Sequence, residues 1–226
     1  MLRRQSLAVA LMLLVVTVPP SALQAQGRAR ARELGVAPGV FAPGPLNGIT
    51  DVAGVRVGQV TITEGQDVRT GGTAILPHEG NPYLERVPAA VHVGNGYGKL
   101  LGVTQWRELG ELERLAARGI MGLARTGSSA SNGSGDCVLA FSTAREVRRR
   151  PLTPGTADRD TRQRTVEDLA NEPMSGLFQA VVEATEEAIY NSMFAATTVT
   201  GNGRTVEALP LDKVRAVLRQ YGIAAR

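Results

Sequence analysis

The chain has 226 residues, a formal net charge of +4, 4% aromatic residues, one cysteine and two histidines. One cysteine excludes an intrachain disulfide and leaves no thiolate set for a structural metal. The small charge and scarce aromatics offer nucleic acid neither a strong positive field nor a stacking surface.

In chain order, residues 1–25 read as a signal peptide. Arg3 and Arg4 form a basic start, Leu7 to Val18 an apolar run, and Leu23-Gln24-Ala25 a small-residue cleavage site. The apolar run is short for a membrane span, so export to a periplasm or the exterior is expected. Removing it leaves 201 residues and a net charge of +2, enough for one sizeable core. Residues 26–45, rich in Arg, Gly and Pro, read as a flexible tail carrying Arg28, Arg30 and Arg32.

A β-rich block follows. Val55, Val57, Val60 and Ile62 alternate with polar residues, with a slip at Gly58 that suggests a bulge. Thr73 to Leu76 and Ala89 to Val93 are short apolar runs expected to be buried strands. Gly94-Asn95-Gly96-Tyr97-Gly98-Lys99 is a glycine turn able to open a helix, with spacing unlike that of a phosphate loop. Leu112, Leu115, Ala116, Met121 and Leu123 predict a helix over 111–125, its pattern broken at Gly119. Cys137 to Phe141 predicts a strand, with Cys137 a buried, inert thiol. Arg148 to Pro173 reads as an exposed excursion, its Arg148-Arg149-Arg150 run a solvated loop. Met174 to Phe194 predicts a helix with Leu177, Phe178, Val181, Ala184, Ala188, Ile189 and Met193 on its apolar stripe, and Glu183, Glu186 and Glu187 outside it. A last helix spans Leu211 to Tyr221, begun by Pro210 and stopped by Gly222. Strands first and helices later give an α+β class, although neither half supplies a full core.

The stretch Thr126 to Asp136 carries five hydroxyls, one amide, one carboxylate and three glycines between a helix and a strand. Such a loop suits either plain solvated chain, with Gly127 capping the helix, or an acyl-transfer site. His78 and His92 have no acidic partner at ligand or triad spacing, so neither zinc nor a Ser-His-Asp triad is supported.

The runs Asn47-Gly48-Ile49-Thr50-Asp51-Val52-Ala53-Gly54-Val55-Arg56-Val57-Gly58, Val68-Arg69-Thr70-Gly71-Gly72-Thr73 and Ser131-Asn132-Gly133-Ser134-Gly135-Asp136 resemble the L-aminopeptidase/D-esterase (DmpA) family, which includes β-peptidyl aminopeptidases. Phe178 to Ala188 and Val206 to Pro210 continue the resemblance, which covers nearly all of 46–221. It implies a four-layer αββα sandwich, here in partial form, over a single incomplete domain at 46–226. It also implies an exported serine hydrolase that cuts itself at a Gly–Ser bond and then removes N-terminal residues from short peptides, amides or esters. The new N-terminal serine would be the nucleophile and its α-amine the base, with Ser134 and Asp136 as its helpers. A small peptide or aminoacyl amide is the implied substrate and a homo-oligomer the implied assembly. No metal or cofactor is implied.

Gly94 to Glu113 contains no Gly–Ser pair. The resemblance passes at Leu112-Glu113 from the family's first subunit (46–113) to part-way into its second (114–226), omitting the block that would hold the nucleophile. The expected outcome is a chain without activity of its own, or a module that pairs with a full-length relative.

Overall fold

The computed structural model describes residues 27–82, 84–96, 110–149 and 169–223. The expected signal peptide, most of the glycine turn after Gly96 and most of the 148–173 excursion lie outside these. In order, the elements are β1 (Arg56–Glu64), β2 (Val68–Leu76), β3 (Ala89–Gly96), α1 (Gly110–Arg125), β4 (Gly135–Phe141), α2 (Met174–Ala195), β5 (Val199–Gly201), β6 (Arg204–Val206) and α3 (Leu211–Gln220). The class is α+β, as expected. The strands form three separate two-stranded antiparallel ribbons, β1–β2, β3–β4 and β5–β6. The β3–β4 ribbon and α2 both pack against α1.

Helix α1 runs unbroken through Gly119. Glu111 and Glu113 in its first turn and Arg125 in its last match the helix dipole. It ends where Gly127, at φ +95°, donates its N–H to the Ala124 carbonyl at 3.0 Å. Gly119 is a packing position and not a break. A Cβ there would lie 2.8 Å from Val138 Cγ1, so its absence lets α1 settle directly on β4. One turn on, Gly122 lets α1 cross α2 closely; its Cβ would lie 2.6 Å from the Val182 carbonyl oxygen.

Register assigns faces to the β3–β4 ribbon. His92 opposes Val138 and Ala90 opposes Ala140, and these face α1. Val91 opposes Leu139 and Val93 opposes Cys137 on the other face, where Val93 and Leu139 are exposed and Cys137 is half-buried. The expected buried thiol is therefore only partly covered, because nothing from the described residues closes that face. A register shift between Val93 and Asn95 places the bulge in β3. In β1, by contrast, pairing runs without a shift from Arg56–Leu76 to Glu64–Val68. The slip at Gly58 is thus a change of which face carries the valines, with Val57 on one side and Val60 and Ile62 on the other.

Residues 27–45 are docked, in contrast to the flexible tail expected. Ala31 and Leu34 are buried with Phe194 in a small core, against Tyr190, Leu211, Val214 and Leu218. Arg28 donates to the carbonyls of Phe194 and Leu209, both at 2.7 Å, and Asn191 Oδ1 accepts the Ala31 N–H at 2.8 Å. The arginines are tethers, and the alanines between them fit against α2.

Two charge assignments change for the same reason. Glu183, Glu186 and Glu187, expected on a solvent face, are buried, while Leu177 and Met193 from the apolar stripe are exposed. Arg148 is half-buried rather than solvated: it donates to the Thr143 carbonyl at 2.7 Å and lies 3.5 Å from Glu85. Among the described residues only eight hydrophobic side chains are buried, and four are alanines. That core is too small to dictate which face of α2 turns inward, so ion pairs decide it.

Candidate active site

The Ser/Gly loop links the end of α1 to the start of β4. Ser134 donates its N–H to the Ser131 carbonyl at 3.0 Å, closing a turn with Gly133 at φ +94° in its third position. Ala130 takes φ +46°, a conformation costly for a residue with a Cβ. Ser128 Oγ accepts the Ala130 N–H at 3.3 Å, and the Asn95 side-chain amide donates to the carbonyls of Ala130 and Ser131 at 3.4 and 3.2 Å. Asn95 stands opposite Asp136 in the ribbon, just past the β3 bulge. The bulge thereby aims Asn95 across the loop and fixes its path.

This loop brings together the two site residues expected from the sequence. Ser134 Oγ donates a short hydrogen bond to Asp136 Oδ2 at the mouth of β4, both residues half-buried. The pair joins a hydroxyl to an acceptor-only carboxylate. A carboxylate orients a serine hydroxyl well but is a weak base toward it. It can hold a second hydroxyl or an amine through Ser134 and fix its protonation. Asn95 was given no role by sequence reasoning; its place in the Asn95-Gly96-Tyr97-Gly98-Lys99 run was the available signal.

His78 does not join this site. It is buried in the β2–β3 connection, with Nε2 2.8 Å from the Glu85 carbonyl oxygen and Nδ1 accepting the Gly80 N–H at 3.0 Å. Both ring nitrogens are thus occupied, with Nε2 as the donor. His92 faces α1 from mid-ribbon.

A second polar cluster lies along α2, which is also in contact with α1. Glu187 accepts two bonds from Arg32 Nε at 2.8 Å and one from the Asn47 amide at 2.6 Å. Burial works against its charge, but Arg32 and Asn47 outweigh this and hold its carboxyl below the usual range. Glu183 accepts from Gln179 at 2.6 Å and from the Phe41 N–H at 3.0 Å. Burial again opposes ionisation, and these donors still lower its pKa. Glu186 Oε2 lies 2.8 Å from Arg125 Nε, an ion pair without hydrogen-bond alignment, and Oε1 accepts from Tyr190 at 3.1 Å. Burial and this hydrogen bond raise the Tyr190 pKa. A cleft of about 630 Å³ between α2 and residues 41–51 borders Glu183 and Glu187, and its lining does not include Ser134 or Asp136. The cluster fastens the N-terminal segment to α2.

The sequence profile of peptidase family S58 matches residues 47–113 and 110–206, two segments that meet at the start of α1. The chain belongs to peptidase family S58. The β-peptidyl aminopeptidase BapA of Sphingosinicella microcystinivorans is 40% identical to this chain over 112 residues. That stretch is 49% of this chain and 26% of the relative, so the chain spans about a quarter of that enzyme's length. The PH0078 protein of Pyrococcus horikoshii OT3 superposes with a TM-score of 0.75 at 25% identity, covering 86% of this chain and 100% of its own. The L-aminopeptidase D-Ala-esterase/amidase of Ochrobactrum anthropi, described as a variant of the Ntn hydrolase fold, gives 0.71 at 22% identity over 87% and 99%. The fold of this S58 chain is therefore related to the Ntn hydrolase fold, and the DmpA resemblance read from the sequence holds at the level of family.

Proposed function

We propose that this chain is an exported member of the serine aminopeptidase line that keeps two helper residues of the active site and lacks the nucleophile they serve. In this reading the intact enzyme type releases N-terminal residues from short peptides, amides or esters. Ser134 and Asp136 position the hydroxyl and amine of a nucleophilic serine. The observation that carries the reading is the Ser134–Asp136 pair, hydrogen-bonded at the mouth of β4. His78 is hydrogen-bonded within the β2–β3 connection, and His92 stands opposite Val138 in the ribbon. The profile match in two segments meeting at residues 110–113 supports an omitted block at the place where the sequence resemblance jumps.

Loss of a nucleophile typically removes most of an enzyme's rate enhancement. The expected behaviour of the purified chain is no turnover of aminoacyl p-nitroanilides and no self-cleavage. Gly133–Ser134 is a Gly–Ser bond placed before a strand, so cleavage there is the specific outcome to look for. A mass-spectrometric fragment beginning at Ser134, with turnover, would overturn the proposal.

A further inference from the structure

Asn95 stands on a face of the β3–β4 ribbon that plain strand alternation would deny it. Up to Val93 the two strands pair in regular register, with Val93 opposite Cys137 on the side away from α1. Val138 packs on Gly119 of α1, so Asp136, two residues before it, lies on the α1 side. Alternation along β3 would place Asn95 on the side of Val93. The register shift instead leaves Gly94 as the extra residue and pairs Asn95 with Asp136. Residues directly opposite share a face, so one inserted glycine transfers the Asn95 side chain to the side that carries Asp136. A Cβ on Gly94 would lie 2.6 Å from Ile120 Cδ1, which shows how closely the bulge sits on α1.

From there the Asn95 amide reaches the carbonyls of Ala130 and Ser131 at 3.4 and 3.2 Å. The Ser131 carbonyl also accepts the Ser134 N–H at 3.0 Å, so Asn95 and Ser134 meet on one oxygen. Ala130, at φ +46°, holds a left-handed conformation that its Cβ disfavours. Ser128 Oγ binds its N–H at 3.3 Å and Asn95 binds its carbonyl, so it is held from both ends. We infer that Asn95 is a positioning residue for the Ser134–Asp136 pair: it keeps Ala130 left-handed and Ser131 in its turn, and so delivers the Ser134 hydroxyl to Asp136. The inference rests on the proposed function for what the pair serves, whereas the geometry stands whether or not the chain lacks a nucleophile.

Carbon-13 NMR of the Asp136 side-chain carboxyl, on the full chain, reads the pair directly. S134A removes the donor and fixes the resonance of an Asp136 without it. In N95A both members of the pair remain, yet the resonance is expected to move to the S134A position. The Ser134 amide is expected to exchange with solvent about tenfold faster, while amides from Ala89 to Val93 and from Val138 to Phe141 keep their wild-type rates. The double variant N95A/A130G is expected to regain the wild-type resonance, because glycine takes a positive φ without support. A wild-type resonance in N95A would overturn the inference. So would faster exchange along the whole ribbon, which would make Asn95 a residue of general stability, or a double variant that stays at the S134A position. Turnover of an aminoacyl p-nitroanilide by the wild-type chain would sink the missing-nucleophile reading and leave the outcome for Asn95 unchanged.

Discussion

Gly122 and Gly176 offer a paired perturbation whose sign follows from space alone. Replacing a helical glycine by alanine gains up to about 1 kcal/mol from reduced chain entropy and better helix propensity, in full at an interior position such as Gly122 and less in the first turn of α2, where Gly176 stands. At Gly176 in α2 nothing lies within 4 Å of a new Cβ, so G176A should keep that gain. At Gly122 in α1 the Cβ would meet the Val182 carbonyl oxygen and Thr185 Cβ, both at 2.6 Å. The first obstacle is backbone and cannot rotate away, so α1 and α2 must separate. Overpacking of this kind costs about 1–3 kcal/mol, and the lost close contact adds to it. With the propensity gain subtracted, G122A should be less stable than wild type by up to about 2 kcal/mol. Urea unfolding followed by far-ultraviolet circular dichroism reads both variants against wild type. If G122A proves as stable as G176A, the α1–α2 crossing is not as close as described and the packing argument fails.

Removing Arg32 while keeping Glu187 strands a buried carboxylate. R32M is expected to cost about 2 kcal/mol, below the roughly 3–5 of a fully buried pair because Arg32 is 28% exposed. Glu183 and Glu187 both have lowered pKa values, so their stabilisation is complete above the ordinary glutamate value of 4.5 and is lost as pH falls through the lowered folded values. The R32M deficit should accordingly shrink in acid, and urea midpoints measured from neutral pH downward check this. H78F removes the hydrogen bonds that His78 makes with the Gly80 N–H and the Glu85 carbonyl and is expected to cost about 2 kcal/mol by the same unfolding assay. Genomic DNA sequenced across the codons for Leu112 and Glu113 should read straight through; intervening codons there would contradict an omitted block.

The sequence made the helices and β4 legible because each carries its own period and its own stop signals. Gly222 after α3 is an example: its N–H bonds Arg219 and that of Ile223 bonds Leu218, the closing pattern its position suggested. The Ser134–Asp136 pair was legible through the family resemblance of the Ser131-to-Asp136 run, since the loop's own composition left plain solvated chain and acyl-transfer site both open. The β5–β6 hairpin was missed although Asn202-Gly203, at φ +49° and +70°, is a strong two-residue turn signal. The acid row on α2 was misplaced for a different reason. Its partners Arg32 and Asn47 lie 155 and 140 residues away, and helical periodicity says nothing of such pairs. The docking of residues 27–45 escaped notice likewise, since an Arg-Ala alternation reads as polar chain until the carbonyls that receive it are known. The β1 bulge was inferred from a slip in alternation that a partly assembled sandwich also produces, because neither face there is committed to a core.

The central claim is that this S58 chain holds helper residues without their nucleophile. The most direct measurement combines aminoacyl p-nitroanilide hydrolysis with intact-mass spectrometry on the same purified sample. The account predicts no hydrolysis above buffer and a single uncleaved chain. Turnover that is abolished by S134A, together with a fragment starting at Ser134, would contradict it.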